Sequence, residues 1–143
     1  MYEPEKIEQA VHYAARNFGT SYFENLGNGS FRKKVLDHYA QLSSTNTIIV
    51  RDFNQDQHLD LLLAGNLYSS EVETSRNDAG YGVFLAGDGT GNFTIEPSFE
   101  TGLFLQGDIK SSATIRLADG GLGLLFAANM GRLQLVRLHR EML

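Results

Sequence analysis

Nine consecutive residues, Asp52-Phe53-Asn54-Gln55-Asp56-Gln57-His58-Leu59-Asp60, carry the densest chemistry in the chain. Oxygen-bearing side chains stand at the first, third, fifth and ninth places, and alternate residues of a short loop can turn inward together. Calcium takes about 6–8 oxygen ligands at about 2.3–2.6 Å. Asp52, Asn54, Asp56 and Asp60, with the main-chain carbonyl of His58, supply most of such a shell and water fills the rest. An EF-hand is excluded, because its twelfth-place glutamate is replaced by Leu63 and both flanks read as strands. The same run can instead close as an Asx-rich turn whose side chains accept from their own backbone amides.

Other candidates are weaker. The longest polar stretch runs from Asn66 to Gly80, and Glu73, Arg76 and Asp78 within it are candidate ligand contacts or a local ion-pair network that orders the loop. Glu71 and Glu73 are the paired acids that a glycan-cleaving enzyme would need, although a solvated surface is the simpler reading. The histidines His12, His38, His58 and His139 share no metal-binding spacing, and no nucleophile elbow occurs. The two sequons, Asn28-Gly29-Ser30 and Asn92-Phe93-Thr94, lie inside glycine hairpins that already account for them.

The elements that must hold these residues belong to a chain of 143 residues, room for one ordinary domain. Its 42% hydrophobic and 20% charged residues are those of a globular chain that buries a core. Twelve basic against seventeen acidic residues, a net charge of −5, speak against a nucleic-acid partner. With no cysteine there is no disulfide, thiolate metal site or cysteine nucleophile. The acidic start Met1-Tyr2-Glu3-Pro4-Glu5-Lys6 does not read as a signal peptide, and no stretch predicts membrane insertion.

Ile7, Val11, Ala14, Ala15 and Phe18 recur at helical spacing between Pro4 and Gly19, which predicts one amphipathic helix over residues 4–18, packed on an open sheet edge. From there the rhythm is short apolar runs between glycines. Strands are predicted at Tyr22–Leu26, Arg32–Leu36, Thr47–Phe53, Leu59–Leu67, Gly82–Ala86, Phe93–Pro97, Thr114–Leu117, Leu122–Asn129 and Leu133–Leu138.

Two segments repeat with nearly one period. Leu61-Leu62-Leu63-Ala64-Gly65-Asn66 returns sixty-three positions later as Leu124-Leu125-Phe126-Ala127-Ala128-Asn129. Gly27-Asn28-Gly29-Ser30-Phe31 returns sixty-two positions later as Gly89-Thr90-Gly91-Asn92-Phe93. The G-x-G-x-F element supplies positive-φ glycines for a tight hairpin and then an aromatic ring for the sheet. Each unit therefore holds four antiparallel strands, the content of a propeller blade. The expected fold is mainly all-β. Residues 1–20 form the helical segment, 21–45 a partial blade, 46–97 a full blade and 98–143 a degenerate one, an incomplete ring of about two blades.

The run Ile48-Ile49-Val50-Arg51 leading into Asp52–Asp60 and then Leu61-Leu62 resembles the FG-GAP/VCBS repeat of integrin-α-type β-propellers, whose usual form is D-x-N-x-D-G-x-x-D before an apolar strand. The stretch Tyr81–Phe93 is similar to the closing hairpin of that repeat, and the likeness covers about residues 21–138. It implies calcium held by Asp52, Asn54, Asp56, His58 through its carbonyl, and Asp60. It also implies an extracellular, periplasmic or cell-surface protein acting in adhesion or recognition. Gln55 and Gln57 stand where the family often has glycine, and glutamine at positive φ costs about 1 kcal/mol or more, which predicts a weakened calcium site. In the third unit the loop has shrunk to Ala118-Asp119-Gly120-Gly121 and is expected to bind nothing.

The expected function is a non-catalytic binding or adhesion module with a structural calcium loop, its partner a protein or carbohydrate ligand. Open strand edges are expected to pair with a second copy, as a homo-oligomer, or with the remainder of a longer propeller. The alternatives are a carbohydrate- or peptide-binding surface on residues 66–80 without metal, and an enzyme that cleaves glycans.

Overall fold

The computed structural model describes residues 3–138. All nine expected strands are present, eight within about two residues of their predicted limits and the seventh beginning five residues earlier than expected: β1 (Ser21–Gly27), β2 (Ser30–Val35), β3 (Thr45–Arg51), β4 (Asp60–Gly65), β5 (Val83–Gly87), β6 (Phe93–Glu96), β7 (Ile109–Arg116), β8 (Leu122–Ala128) and β9 (Gln134–Arg137). They form a two-stranded sheet β1-β2, a four-stranded sheet β3-β4-β5-β6 and a three-stranded sheet β7-β8-β9, every neighbouring pair antiparallel. Within each sheet every strand pairs with its neighbour in sequence, while β2 and β3, and β6 and β7, belong to different sheets and are not paired. In the first hairpin Asn28 and Gly29 sit at φ 45° and 78°, as a two-residue turn matched to strand twist requires. The fold is mainly β, and its described residues form no closed ring.

The three sheets pack in series with one polarity. Alternation puts Leu63 and Leu85 on one face of the middle sheet, where with Ala40 they form a core beneath the segment after β2. The other face carries Ile49, Leu62, Ala64 and Phe84, which meet Leu124 and Phe126 of β8 in the larger core. The repeat carries this polarity along. Leu61 and Leu63 look back toward the segment that follows the first hairpin, and their equivalents Leu124 and Phe126 look back toward the middle sheet. The first hairpin meets the middle sheet through Tyr22, whose ring lies edge-on to Phe93 at 5.3 Å. Lys34 adds a charged clasp, its Nζ donating to the carbonyls of Thr90 and Gly91 and to Asn92 Oδ1 at 3.1–3.3 Å.

A β-bulge recurs at one place in the repeat. Asn46 is the extra residue in β3 and Lys110 the extra residue in β7. Both bulge side chains donate to the carbonyl of Asn66, Asn46 Nδ2 at 2.8 Å and Lys110 Nζ at 3.3 Å. The Asn66 side chain, 1% exposed, receives Ser43 Oγ and Gly80 N–H and donates to the carbonyls of Gly80 and Gly107. Lys110 also stands 2.6 Å from Asp108, a buried carboxylate it neutralises. A polar joint thus crosses the boundary between the second and third sheets.

The amphipathic helix expected over residues 4–18 forms only as α1 (Pro4–Glu8). Val11 and Phe18, the heart of its apolar stripe, are 75% and 87% exposed and cover no sheet edge. A helix this short is marginal in water unless an apolar face is packed, and here that face has no partner. Two further short elements went unanticipated: a 3₁₀ turn at His38–Gln41, capped by Asp37 Oδ1 accepting from Tyr39 N–H, and α2 (Ser98–Thr101), ended by Gly102 at φ 68°.

Candidate cation loop

Residues 52–59 join β3 to β4 and hold their shape through side chains folded onto backbone amides. Asp52 Oδ2 accepts from Gln57 N–H at 2.9 Å, Asn54 Oδ1 from Asp56 N–H at 3.1 Å, and Asp56 Oδ1 from His58 N–H at 2.8 Å. Asn54 Nδ2 donates to the second Asp56 oxygen. The first three expected ligands are therefore gathered in one turn. Gln55 and Gln57 adopt φ 62° and 72°, so the backbone keeps the left-handed conformation that glycine would adopt freely. The His58 N–H first, and the Asn54 amide second, hold the Asp56 carboxyl below its ordinary value.

Asp60 is placed differently from the other side chains. It is fully buried, and its two oxygens bridge separate segments, Oδ2 accepting from Phe53 N–H at 2.8 Å and Oδ1 from Gly87 N–H at 2.9 Å. It ties the start of the loop to the end of β5. His58 lays its ring against Gly89, where a Cβ would collide with the imidazole. Among the described residues no three Asp, Glu or His side chains converge as a ready-made metal cage. One observation does suit a cation: Asp52 Oδ1 is buried and has no hydrogen-bond partner. A carboxylate oxygen so placed keeps its full desolvation cost unless a positive charge meets it.

The turn Asp88–Asn92, which faces this loop across a shallow groove bordered by Tyr22, His58 and Gly91, is a second oxygen-centred turn that the spacing argument missed. Asp88 Oδ1 accepts from Thr90 N–H, Thr90 Oγ1 and Asn92 N–H, and Oδ2 accepts from Asn92 Nδ2. The Asn92 amide, then the Thr90 N–H and hydroxyl, hold the Asp88 carboxyl far below its ordinary value. A carboxyl depressed on folding contributes stability above its unfolded value, about pH 4, and that stability is lost as pH falls through the folded value. Melting between pH 7 and pH 2 should therefore show a shallower acid-side decline in Asp88→Asn than in the parent. The neutral amide has no proton to take up, and an identical decline would mean that the turn does not sense pH.

In the third unit the short loop is a plain turn, Asp119 Oδ1 accepting from Gly121 N–H while Arg137 pairs with Oδ2. The Asn66–Gly80 stretch is a self-braced excursion. Leu67 and Asn77 exchange backbone hydrogen bonds, Ser70 Oγ donates to the Thr74 carbonyl, and the Arg76 guanidinium lies 4.5 Å over the Tyr68 ring. The expected ion-pair network does not form, since no ion pair joins Glu73, Arg76 and Asp78 among the described residues; all three are exposed, as is Glu71. Among the described residues no helix is long and apolar enough to cross a membrane. Neither the sequence model of a known family, nor a curated protein, nor a solved structure matches the chain.

Proposed function

We propose that the chain is a non-catalytic binding module built from FG-GAP/VCBS-like propeller-blade units, in which the Asp52–Asp60 loop is rigidified by one calcium ion. The buried, unpaired Asp52 Oδ1 carries the metal reading. Asp52, Asn54, Asp56 and the His58 carbonyl would hold the ion, and Asp60 would support it by tying Phe53, at the start of the loop, to Gly87 at the end of β5. Calcium supplies positive charge that offsets the gathered carboxylates, so its part is structural. The unit's place would be outside the cytoplasm, its ligand a protein or a carbohydrate.

Calorimetric titration of chelator-treated protein with calcium, with melting in parallel, tests this. The parent is expected to bind one ion and melt higher when saturated, whereas Asp52→Asn, which keeps the acceptor for Gln57 N–H but lowers the charge, should bind at least tenfold more weakly. Absence of binding at millimolar calcium would leave the loop as a self-capped turn. A second reading places recognition on residues 66–80 without metal. The stacked Tyr68–Arg76 pair and the fully exposed Val72 at the tip favour it, because a braced loop loses little entropy on binding.

A further inference from the structure

Among the described residues the serial packing of the three sheets leaves one face uncovered at each side of the stack, and the two uncovered faces are of opposite kind. In the first hairpin Tyr22 and Lys34 look toward the middle sheet, so the residues between them in the alternation look away. The register places Phe23 opposite Lys33, Phe31 opposite Asn25 and Val35 opposite Ser21, all on that outward face. Phe23, Phe31 and Val35 are 59%, 61% and 61% exposed. Phe23 and Phe31 occupy the repeat positions of Leu85 and Phe93, which in the middle sheet belong to the core facing the first hairpin.

On the third sheet the converse holds. Leu124, Phe126 and Val136 look back into the shared core. Leu125 and Leu135, paired across β8 and β9, stand on the other face with Ile115. All three of Ile115, Leu117 and Leu135 crowd Gly123 there. Leu125 is the equivalent of Leu62, which in the middle sheet is buried against the third. Leu135 is 53% exposed and Leu125 only partly covered.

We propose that these two faces meet between copies of this chain, the Ile115/Leu125/Leu135 face of one protomer covering the Phe23/Phe31/Val35 face of the next. The occupant is fixed by the packing already present. Between the middle and third sheets a forward-looking apolar face lies on a backward-looking one, the first hairpin touches the middle sheet in the same sense through Tyr22 and Lys34, and among the described residues each protomer leaves one face of either kind uncovered. Such a contact is heterologous and head to tail, so it extends to further copies or closes into a ring where the rotation allows. The two-stranded first sheet gains most, because an isolated hairpin is marginal in water without a covered apolar face. The proposal stands independently of the metal reading, since no residue of the 52–60 loop lies on either face.

Two charge insertions and a mixing experiment decide it. Sedimentation of the full chain from micromolar to near-millimolar concentration should show the mass rising to twice the chain mass or more. Phe31→Glu and Leu135→Glu, both at exposed positions, should melt like the parent yet each remain monomeric. Mixed in equal amounts, the two should form a one-to-one pair that grows no further, because each variant keeps the face its partner has lost. A parent that stays monomeric, either variant associating alone, or a mixture of folded variants that does not pair would each overturn the proposal.

Discussion

Asn66→Ala should lower the unfolding free energy by about 4 kcal/mol, the largest effect expected of any single substitution outside the apolar core. The side chain is 1% exposed and takes part in four hydrogen bonds, to Ser43 Oγ, Gly80 N–H, Gly80 carbonyl and Gly107 carbonyl. Alanine leaves the Gly80 N–H and carbonyl without partners at a buried junction and takes one of two hydrogen bonds from the Gly107 carbonyl, which keeps Ile109 N–H; each unpartnered group costs about 1–3 kcal/mol. Chemical denaturation of parent and variant measures the difference. Asn66→Gly refines it, because Asn66 sits at φ 135°, where a Cβ is strained. Glycine loses the same hydrogen bonds without that strain, so it should be destabilised less than alanine. Equal losses would mean that the backbone conformation carries no cost, and a loss below about 1 kcal/mol for alanine would show that the polar joint is dispensable.

Asp60→Ala ranks second, at about 3 kcal/mol. Its two oxygens serve two buried amides in different segments, Phe53 N–H and Gly87 N–H, and alanine abandons both. Asp60→Asn is the informative companion. Its amide keeps one acceptor and turns the other into a donor facing an N–H, so it should lose as much as alanine or nearly so despite its shape. The third unit explains why the bridge cannot simply be dropped. Gly123 occupies the equivalent position there, and the space is filled by Leu135, Leu117 and Ile115 at 2.9–3.2 Å from where a Cβ would stand. The middle unit has no such filling, so its acid must stay. Denaturation midpoints in chelator-treated protein isolate this structural effect from any contribution of calcium; if Asp60→Ala unfolds with the parent's midpoint under those conditions, the bridge contributes nothing.

The strands could be read in the sequence because alternation, glycine punctuation and repetition all point to the same limits. The terminal helix could not, because helical spacing states only that a stripe would align, and Val11 and Phe18 have nothing to align against. In the loop, residue types located the oxygens that gather, Asp52, Asn54 and Asp56, but spacing alone could not show that Asp60 turns inward to serve Phe53 and Gly87. The largest omission was the joint between sheets. Asn66 and Asn129 both end an apolar run at one repeat position, a signal present in the sequence but silent about partners. Asp108 and Lys110 look like an ordinary surface pair two residues apart until the bulge brings the lysine onto a buried carboxylate. These contacts depend on register and on crossing between sheets, neither of which a local pattern encodes.

The recurring bulge bears on how such a chain can change its length. Asn46 and Lys110 reach the same Asn66 carbonyl from neighbouring units, one as a neutral amide and the other as a cation. The fastening therefore lies inside the unit, in its first strand, rather than in the connecting segments. Duplicating one unit would copy both the hook and the eye, and a single change at the bulge residue would retune one fastening while leaving its neighbours as they were. Growth by whole units, with each seam adjusted separately, is the kind of inheritance this architecture permits.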